Sequence, residues 1–166
     1  NQALVAALPE LLEQCQIVHI SGQLDWSWVE QAAAGLPAHL RARYHLYAYM
    51  HEELAAAMAA ADLVVARAGA STLAEFPAVG LPSVLVPYPY SGQHQAANAD
   101  FMAARGAAVR LDNDDLEARL KPTVLGLLGD QRVLERMAAS AEALARPEAA
   151  SRLADELRRL ALGEAR

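Results

Sequence analysis

A chain of 166 residues, 54% hydrophobic and 20% charged, has the composition of one domain with a sizeable core, which excludes disorder. A net charge of −6 and a pI near 5.3 argue against nucleic acid as the main partner. No apolar run approaches the ~20 residues of a membrane span, and the single cysteine, Cys15, fits a reducing compartment without internal disulfides.

The chain opens inside a helical pattern, with Leu4, Leu8, Leu11 and Leu12 on one face of residues 1–14. That stretch has no basic start, so no signal peptide is expected. Domains of this kind usually start on a strand, so residues before Asn1 are expected to be missing. Strands are predicted over 16–22, 43–50, 62–69, 82–89 and 107–112. Between them lie helical patterns over 26–36, 52–61, 71–80 and 92–106, and three more helices follow, over 114–128, 131–145 and 148–162. Trp26 and Trp28 are read as anchors between helix and sheet. Gly80 closes the 71–80 helix, which Pro77 can join only with some loss of backbone bonding. The arginines of the last helix read as its solvated face.

Alternation of helices with near-continuous apolar strands predicts an α/β fold with a parallel sheet covered on both faces. Such sheets bind ligands at the carboxyl ends of their strands, so the turns after residues 22, 50, 69, 89 and 112 carry the interest. The richest is Arg67-Ala68-Gly69-Ala70-Ser71-Thr72-Leu73-Ala74-Glu75. Free backbone N–H groups at the helix start favour a phosphate there, and Glu75 could accept two ribose hydroxyls. Equally, Thr72-x-x-Glu75 has the spacing of a capping box, in which Glu75 only bonds the backbone of Thr72. Spacing leaves both readings open.

The turn after residue 89 leads into Gln93, His94, Gln95 and Asn98. Amides at helical spacing suit sugar hydroxyls, and a solvated first turn is the alternative. No nearby carboxylate would orient His94, so it is not assigned catalysis. Asp112-Asn113-Asp114-Asp115-Leu116-Glu117 resembles the start of a calcium loop, but Glu117 stands where that loop needs glycine, and a helix-capping turn is the reading adopted. His19, His45 and His51 lack metal-ligand spacing, and no metal or cofactor is expected.

Residues 62–99 as a whole resemble the nucleotide-sugar-binding half of the MurG-type peptidoglycan glycosyltransferases. The family pattern R-[SA]-G-A-x-T-x-x-E is matched by Arg67 to Glu75. G-L-P-x-x-x-V-P is matched by Gly80 to Pro87, and [HQ]-Q-x-x-N-A by His94 to Ala99. The resemblance extends to the opening and closing helices. It implies the C-terminal, Rossmann-like half of a GT-B glycosyltransferase, taking UDP-N-acetylglucosamine as donor and lipid I as acceptor at the inner face of the cell membrane. It implies Glu75 on the ribose, and the backbone of Ala70, Ser71 and Thr72 by the phosphates. It further implies His94, Gln95 and Asn98 on the sugar, and the backbone at His51 on the uracil. The family's Gly-Gly-Ser phosphate loop, the strand before it, the acceptor-binding domain and the catalytic base are expected to precede Asn1. Peripheral membrane contact is expected mainly through that domain. The alternatives are a related UDP-sugar lipid glycosyltransferase and a solitary nucleotide-sugar-binding module.

Overall fold

Strand and helix alternate as the apolar runs predict. The computed structural model describes residues 1–90 and 94–163. In chain order these hold α1 (Gln2–Gln14), β1 (Ile17–Ile20), α2 (Trp26–Ala34), α3 (Ala38–Arg41), β2 (Tyr44–Tyr47), α4 (Glu53–Ala60), β3 (Val64–Arg67), α5 (Thr72–Ala78), β4 (Ser83–Val86), α6 (His94–Ala103) and β5 (Ala108–Arg110). A 3₁₀ turn (Asn113–Asp115) follows, then α7 (Leu116–Leu128), α8 (Gln131–Glu142) and α9 (Ala149–Leu162). The sequence gives no warning of α3, a single turn after Pro37 that is too short for periodicity to register. The predicted start of the helix before β5, at Gly92 and Gln93, lies outside the described residues.

All strand pairs are parallel, as expected, but the strands form two sheets, β1-β2 and β3-β4-β5. Among the described residues, no strand pairs with the second edge of β1 or of β3. Ile17 and Ser21 donate their N–H groups to Arg43 and Tyr47 (both 2.9 Å), and Val64 donates to Pro82 (3.0 Å). Backbone groups in a parallel strand alternate sides, so Val18 and Ile20 turn theirs to the open edge of β1, and Val65 and Arg67 to that of β3. The side chains of Val18, Ile20 and Val65 are 51%, 39% and 41% exposed, far from the buried runs the sequence suggests.

Helix α1 joins the two sheets. Its Ala7 and Leu11 enter a core with Val84, Val86, Leu111, Leu120 and Val124. Its Leu8 and Leu12 pack with Ala33, Leu40 and Tyr44 beside the smaller sheet. Leu4 and Ile17 touch both clusters. On the opposite face of the larger sheet, Phe76, Leu85, Ala99, Met102 and Ala141 form a third cluster. Leu81 N–H returns to Phe76 O (2.9 Å) and Gly80 N–H to Pro77 O (3.1 Å), which ends α5 as the sequence expects. Gly80 takes φ +62° for this, a conformation side chains resist. Helix α9 buries nothing: its leucines Leu153, Leu157 and Leu160 are exposed along with its arginines.

Candidate functional site

The carboxyl end of β1 meets the start of α1, where a chain of hydrogen bonds fixes the geometry. Asn1 caps α1 with its carbonyl, accepting from Val5 N–H (2.9 Å). Its side-chain amide donates to Ser21 O (2.8 Å), at the end of β1, and to the Asp25 carboxylate before α2. Both amide hydrogens are then used, so Asn1 Oδ1 faces His19 Nε2 (2.9 Å) as an acceptor. His19 therefore carries its proton on Nε2, and its Nδ1 accepts from the Tyr44 hydroxyl (2.6 Å) on β2. One directional relay thus ties β2, β1, α1 and α2 together. Sequence reading missed it. The only signal was an asparagine in N-cap position and an inward-alternating histidine on β1.

His19 is 7% exposed. Burial, opposed by Asp25, lowers its pKa from 6.5 to about 4. Burial likewise pushes the Tyr44 hydroxyl up to about 12, which keeps it a donor. Hydrogen bonds from Trp28 and Asn1 hold the Asp25 carboxyl below the usual carboxylate range. The folded state keeps the imidazole neutral, so its contribution is complete above the unfolded pKa and is lost as pH falls from 6.5 toward 4. Between pH 7 and pH 5 that amounts to about 2 kcal/mol. Unfolding free energies from urea melts at the two pH values should differ by that much more in the native chain than in His19→Gln. Equal pH dependence in both would remove His19 from the account.

After β3 the chain turns through Ala68, Gly69, Ala70 and Ser71. Thr72 is 6% exposed and sends both its donors to one carbonyl: N–H to Gly69 O (3.2 Å) and hydroxyl to Gly69 O (2.6 Å). It shapes the turn from within. The N–H groups of Ala70 and Ser71 have no hydrogen-bond partner among the described residues, and both residues are exposed. A Cβ built on Gly69 would meet nothing within 4 Å, so neither conformation nor packing demands glycine there. Glu75 is exposed, and its carboxylate holds no hydrogen bond or ion pair among the described residues. The capping box is therefore absent: the N–H that Glu75 would take is already bonded to Gly69 O.

Helix α6 docks onto this turn. Asn98 Nδ2 donates to Ala68 O (2.9 Å), and Gln95 Oε1 accepts from Tyr88 N–H (2.9 Å) in the segment after β4. Each amide is half engaged, leaving Asn98 Oδ1 and Gln95 Nε2 without a described partner. His94, at the first position of α6, is exposed. The structure thus gathers Ala70, Ser71, Thr72 and Glu75 with His94, Gln95 and Asn98 around one end of the larger sheet. His51 lies on the turn after β2. It is exposed, its ring lies 4.6 Å from that of Tyr49, and its N–H leans on the Glu53 carboxylate (3.4 Å).

Arg67, the last residue of β3, lies across the carboxyl end of β4. Its Nη1 donates to Val86 O (3.5 Å) and Pro87 O (3.4 Å), and its guanidinium carbon sits 5.3 Å from the Tyr88 ring centre. At the far edge, Arg110 binds Asp112 (2.7 Å) and Asp100 (2.7 Å), and Arg119 binds Asp115 (3.2 Å). Asp112 and Asp115 are thus held in ion pairs, and Asp115 does not cap α7 through its side chain. Among the described residues, no group of three or more His, Cys, Asp or Glu could hold a metal ion.

Residues 1–153 match the glycosyltransferase family 28 C-terminal domain. A UDP-N-acetylglucosamine--N-acetylmuramyl-(pentapeptide) pyrophosphoryl-undecaprenol N-acetylglucosamine transferase from Roseiflexus sp. is 41% identical, over 93% of this chain and 39% of its own length. The protein of the same name from Nitratidesulfovibrio vulgaris is 41% identical, over 95% of this chain and 43% of its own. In structure, the chain is similar to Acinetobacter baumannii MurG, with a TM-score of 0.77, 29% identity and coverage of 95% of this chain and 48% of that one. The chain therefore spans less than half the length of the relatives it matches. The expected architecture, a parallel α/β half of a GT-B glycosyltransferase, is the one found.

Proposed function

The chain belongs to the glycosyltransferase family 28 C-terminal domains, and on that footing we propose that it is the donor-binding half of an inverting N-acetylglucosaminyltransferase. The donor is UDP-N-acetylglucosamine, and the acceptor is the lipid-linked muramyl pentapeptide, lipid I, with lipid II as product. Glu75 accepts the two ribose hydroxyls. The free N–H groups of Ala70 and Ser71 face the diphosphate on a turn that Thr72 holds in shape. His94, Gln95 and Asn98 contact the sugar, and the backbone at His51 reads the uracil edge. Displacement at the anomeric carbon needs the leaving diphosphate stabilised by fixed dipoles and hydrogen bonds, which is the kind of group this turn offers. The acceptor site, the catalytic base and the peripheral contact with the inner face of the membrane belong to the part of the relatives' length that this chain does not span. Among the described residues no helix is long and apolar enough to cross a membrane.

One observation carries this reading: a carboxylate with no partner among the described residues stands one turn beyond two N–H groups that are unpaired among them, at the carboxyl end of a parallel sheet. Charged groups placed so at strand ends bind ligands more readily than they stabilise folds. Calorimetry with UDP and UDP-N-acetylglucosamine tests it, and absence of binding to both would refute it. The sugar contacts have their own test. Gln95→Ala should weaken UDP-N-acetylglucosamine several-fold, since one hydrogen bond contributes about 0.5–1.5 kcal/mol, and should change UDP less than twofold. Equal losses for the two ligands would move Gln95 to the nucleotide, and no loss would leave α6 as plain solvated surface.

A further inference from the structure

We propose that Arg110 is a positioning residue for the sugar contacts: together with Asp100 and Asp112 it sets the roll of α6 about its own axis, a role that rests on reading α6 as the sugar-contacting helix. Of the ten residues of α6 only Ala99 and Met102 are buried. Both share a cluster with Leu85 on β4, the middle strand of the larger sheet. An α-helix turns by about 100° per residue. With Ala99 turned to the core at 0% exposure, Asn98 and Asp100 leave the helix on opposite flanks. Each flank is tied to a different strand. Asn98 Nδ2 donates to Ala68 O (2.9 Å), just past the end of β3. Asp100 accepts from Nη1 of Arg110 (2.7 Å), the last residue of β5. The sheet runs β3-β4-β5, so α6 is stayed from both sides across β4, at the carboxyl ends of β3 and β5.

The two stays differ in kind. Asn98 belongs to the group being positioned, since His94 and Gln95 lie four and three places before it and share its flank. Asp100 stands on the other flank, and among the described residues α6 has no other ion pair. Arg110 is itself oriented before it reaches the helix. Its Nε (2.9 Å) and Nη2 (2.7 Å) both donate to Asp112 Oδ1, which fixes the plane of the guanidinium and leaves Nη1 for Asp100. A lysine could not divide itself so, because a point charge has no rigid fork. An exposed pair of this kind stabilises a fold very little. Its bearing on a ligand is different. The apparent affinity for the sugar falls by the fraction of molecules in which His94, Gln95 and Asn98 face the site together, and a small bias in roll changes that fraction directly. The nucleotide contacts assigned to Ala70, Ser71 and Glu75 belong to α5 and its turn, so they are indifferent to it.

The test titrates UDP and UDP-N-acetylglucosamine into the native chain, Asp100→Ala, Arg110→Met and the double variant, with a urea melt on each. Alanine raises the helix propensity of position 100, and methionine keeps the apolar stem of Arg110, so the fold should survive both exchanges. Each single variant should weaken UDP-N-acetylglucosamine about threefold, on the scale of one well-formed exposed pair, and change UDP by less than about 1.5-fold. The double variant should lose no more than either single one, because the same tie is broken in all three. Asp100→Glu, which keeps a carboxylate on that flank, should recover most of the preference for the sugar nucleotide. Lowered urea midpoints with an unchanged ratio between the two ligands would make Arg110 a plain brace of the fold and overturn the proposal. So would equal losses for both ligands, additive losses in the double variant, or native selectivity in Asp100→Ala. Gln95→Ala separates this role from the reading beneath it. If Gln95→Ala loses selectivity and Asp100→Ala keeps it, α6 remains the sugar-contacting helix and the role of Arg110 falls. If neither loses it, or the native chain binds neither ligand, both fall together.

Discussion

Glu75→Ala should lower the affinity for UDP at least tenfold while shifting stability by less than about 0.5 kcal/mol. The two halves of this expectation have different sources. Each charge-assisted hydrogen bond to a ribose hydroxyl contributes roughly 1.5–3 kcal/mol, and even partial replacement by water leaves a loss beyond a factor of ten. The stability half follows from the fold. The Glu75 carboxylate is exposed and touches no described donor, and the N–H of Thr72 that a capping box would assign to it is bonded to Gly69 O. Loss of a genuine cap costs about 1 kcal/mol. Calorimetry with UDP and a urea melt on the same variant separate the outcomes. Intact affinity with a lowered midpoint would return Glu75 to a purely structural role.

The largest effect on stability is expected at Leu11. It is 1% exposed and lies in the cluster that joins α1 to Val84, Val86, Leu111 and Leu120. Truncation to alanine removes three buried carbons and leaves a cavity walled by two layers, at a cost of about 2–5 kcal/mol. Against a total of roughly 5–15 kcal/mol for a domain, that is enough to unfold a sizeable fraction of the chain under mild denaturant. Leu157→Ala, on a helix that buries no residue, is the control and should change the urea midpoint by an amount close to error. Comparable losses at the two positions would mean that α9 is covered in solution.

Much of the site was legible because its residue types are contiguous. Arg67 to Glu75 is a strand end, a turn and a helix start in one stretch, and neither register nor topology is needed to place them together. Gln95 and Asn98 were legible as candidate residues but not in the contacts they make. The sequence offers three amide groups there, and only the packing of α6 on β3 decides that Asn98 donates to Ala68, 30 residues away. The His19 relay was illegible for the same reason: its partners stand 18 and 25 residues off, on separate elements. The division into two sheets was hidden too, because an apolar run reports that a strand can be buried and not what lies on each side of it. The capping box failed on a finer point. The first turn of α5 is tightened into i→i+3 bonding, so Thr72 N–H turns inward.

The position of α1 between the sheets also has a bearing on how the chain acquires its structure in time. A two-stranded ribbon has little stability of its own, so β1-β2 depends on α1, and α1 in turn leans on α7. The pairing of those helices is marked by Lys121 and Glu10, 2.8 Å apart in space and 111 positions apart in sequence. Closing so long a loop is slow compared with forming the short crossovers of β3, β4 and β5. Helix α1, made before α2 to α9, is therefore among the last of them to find its place. Leu8 and Leu12 can meet Ala33, Leu40 and Tyr44 early, but until α7 has been synthesised Leu11 lacks Leu120 and Val124 of its cluster.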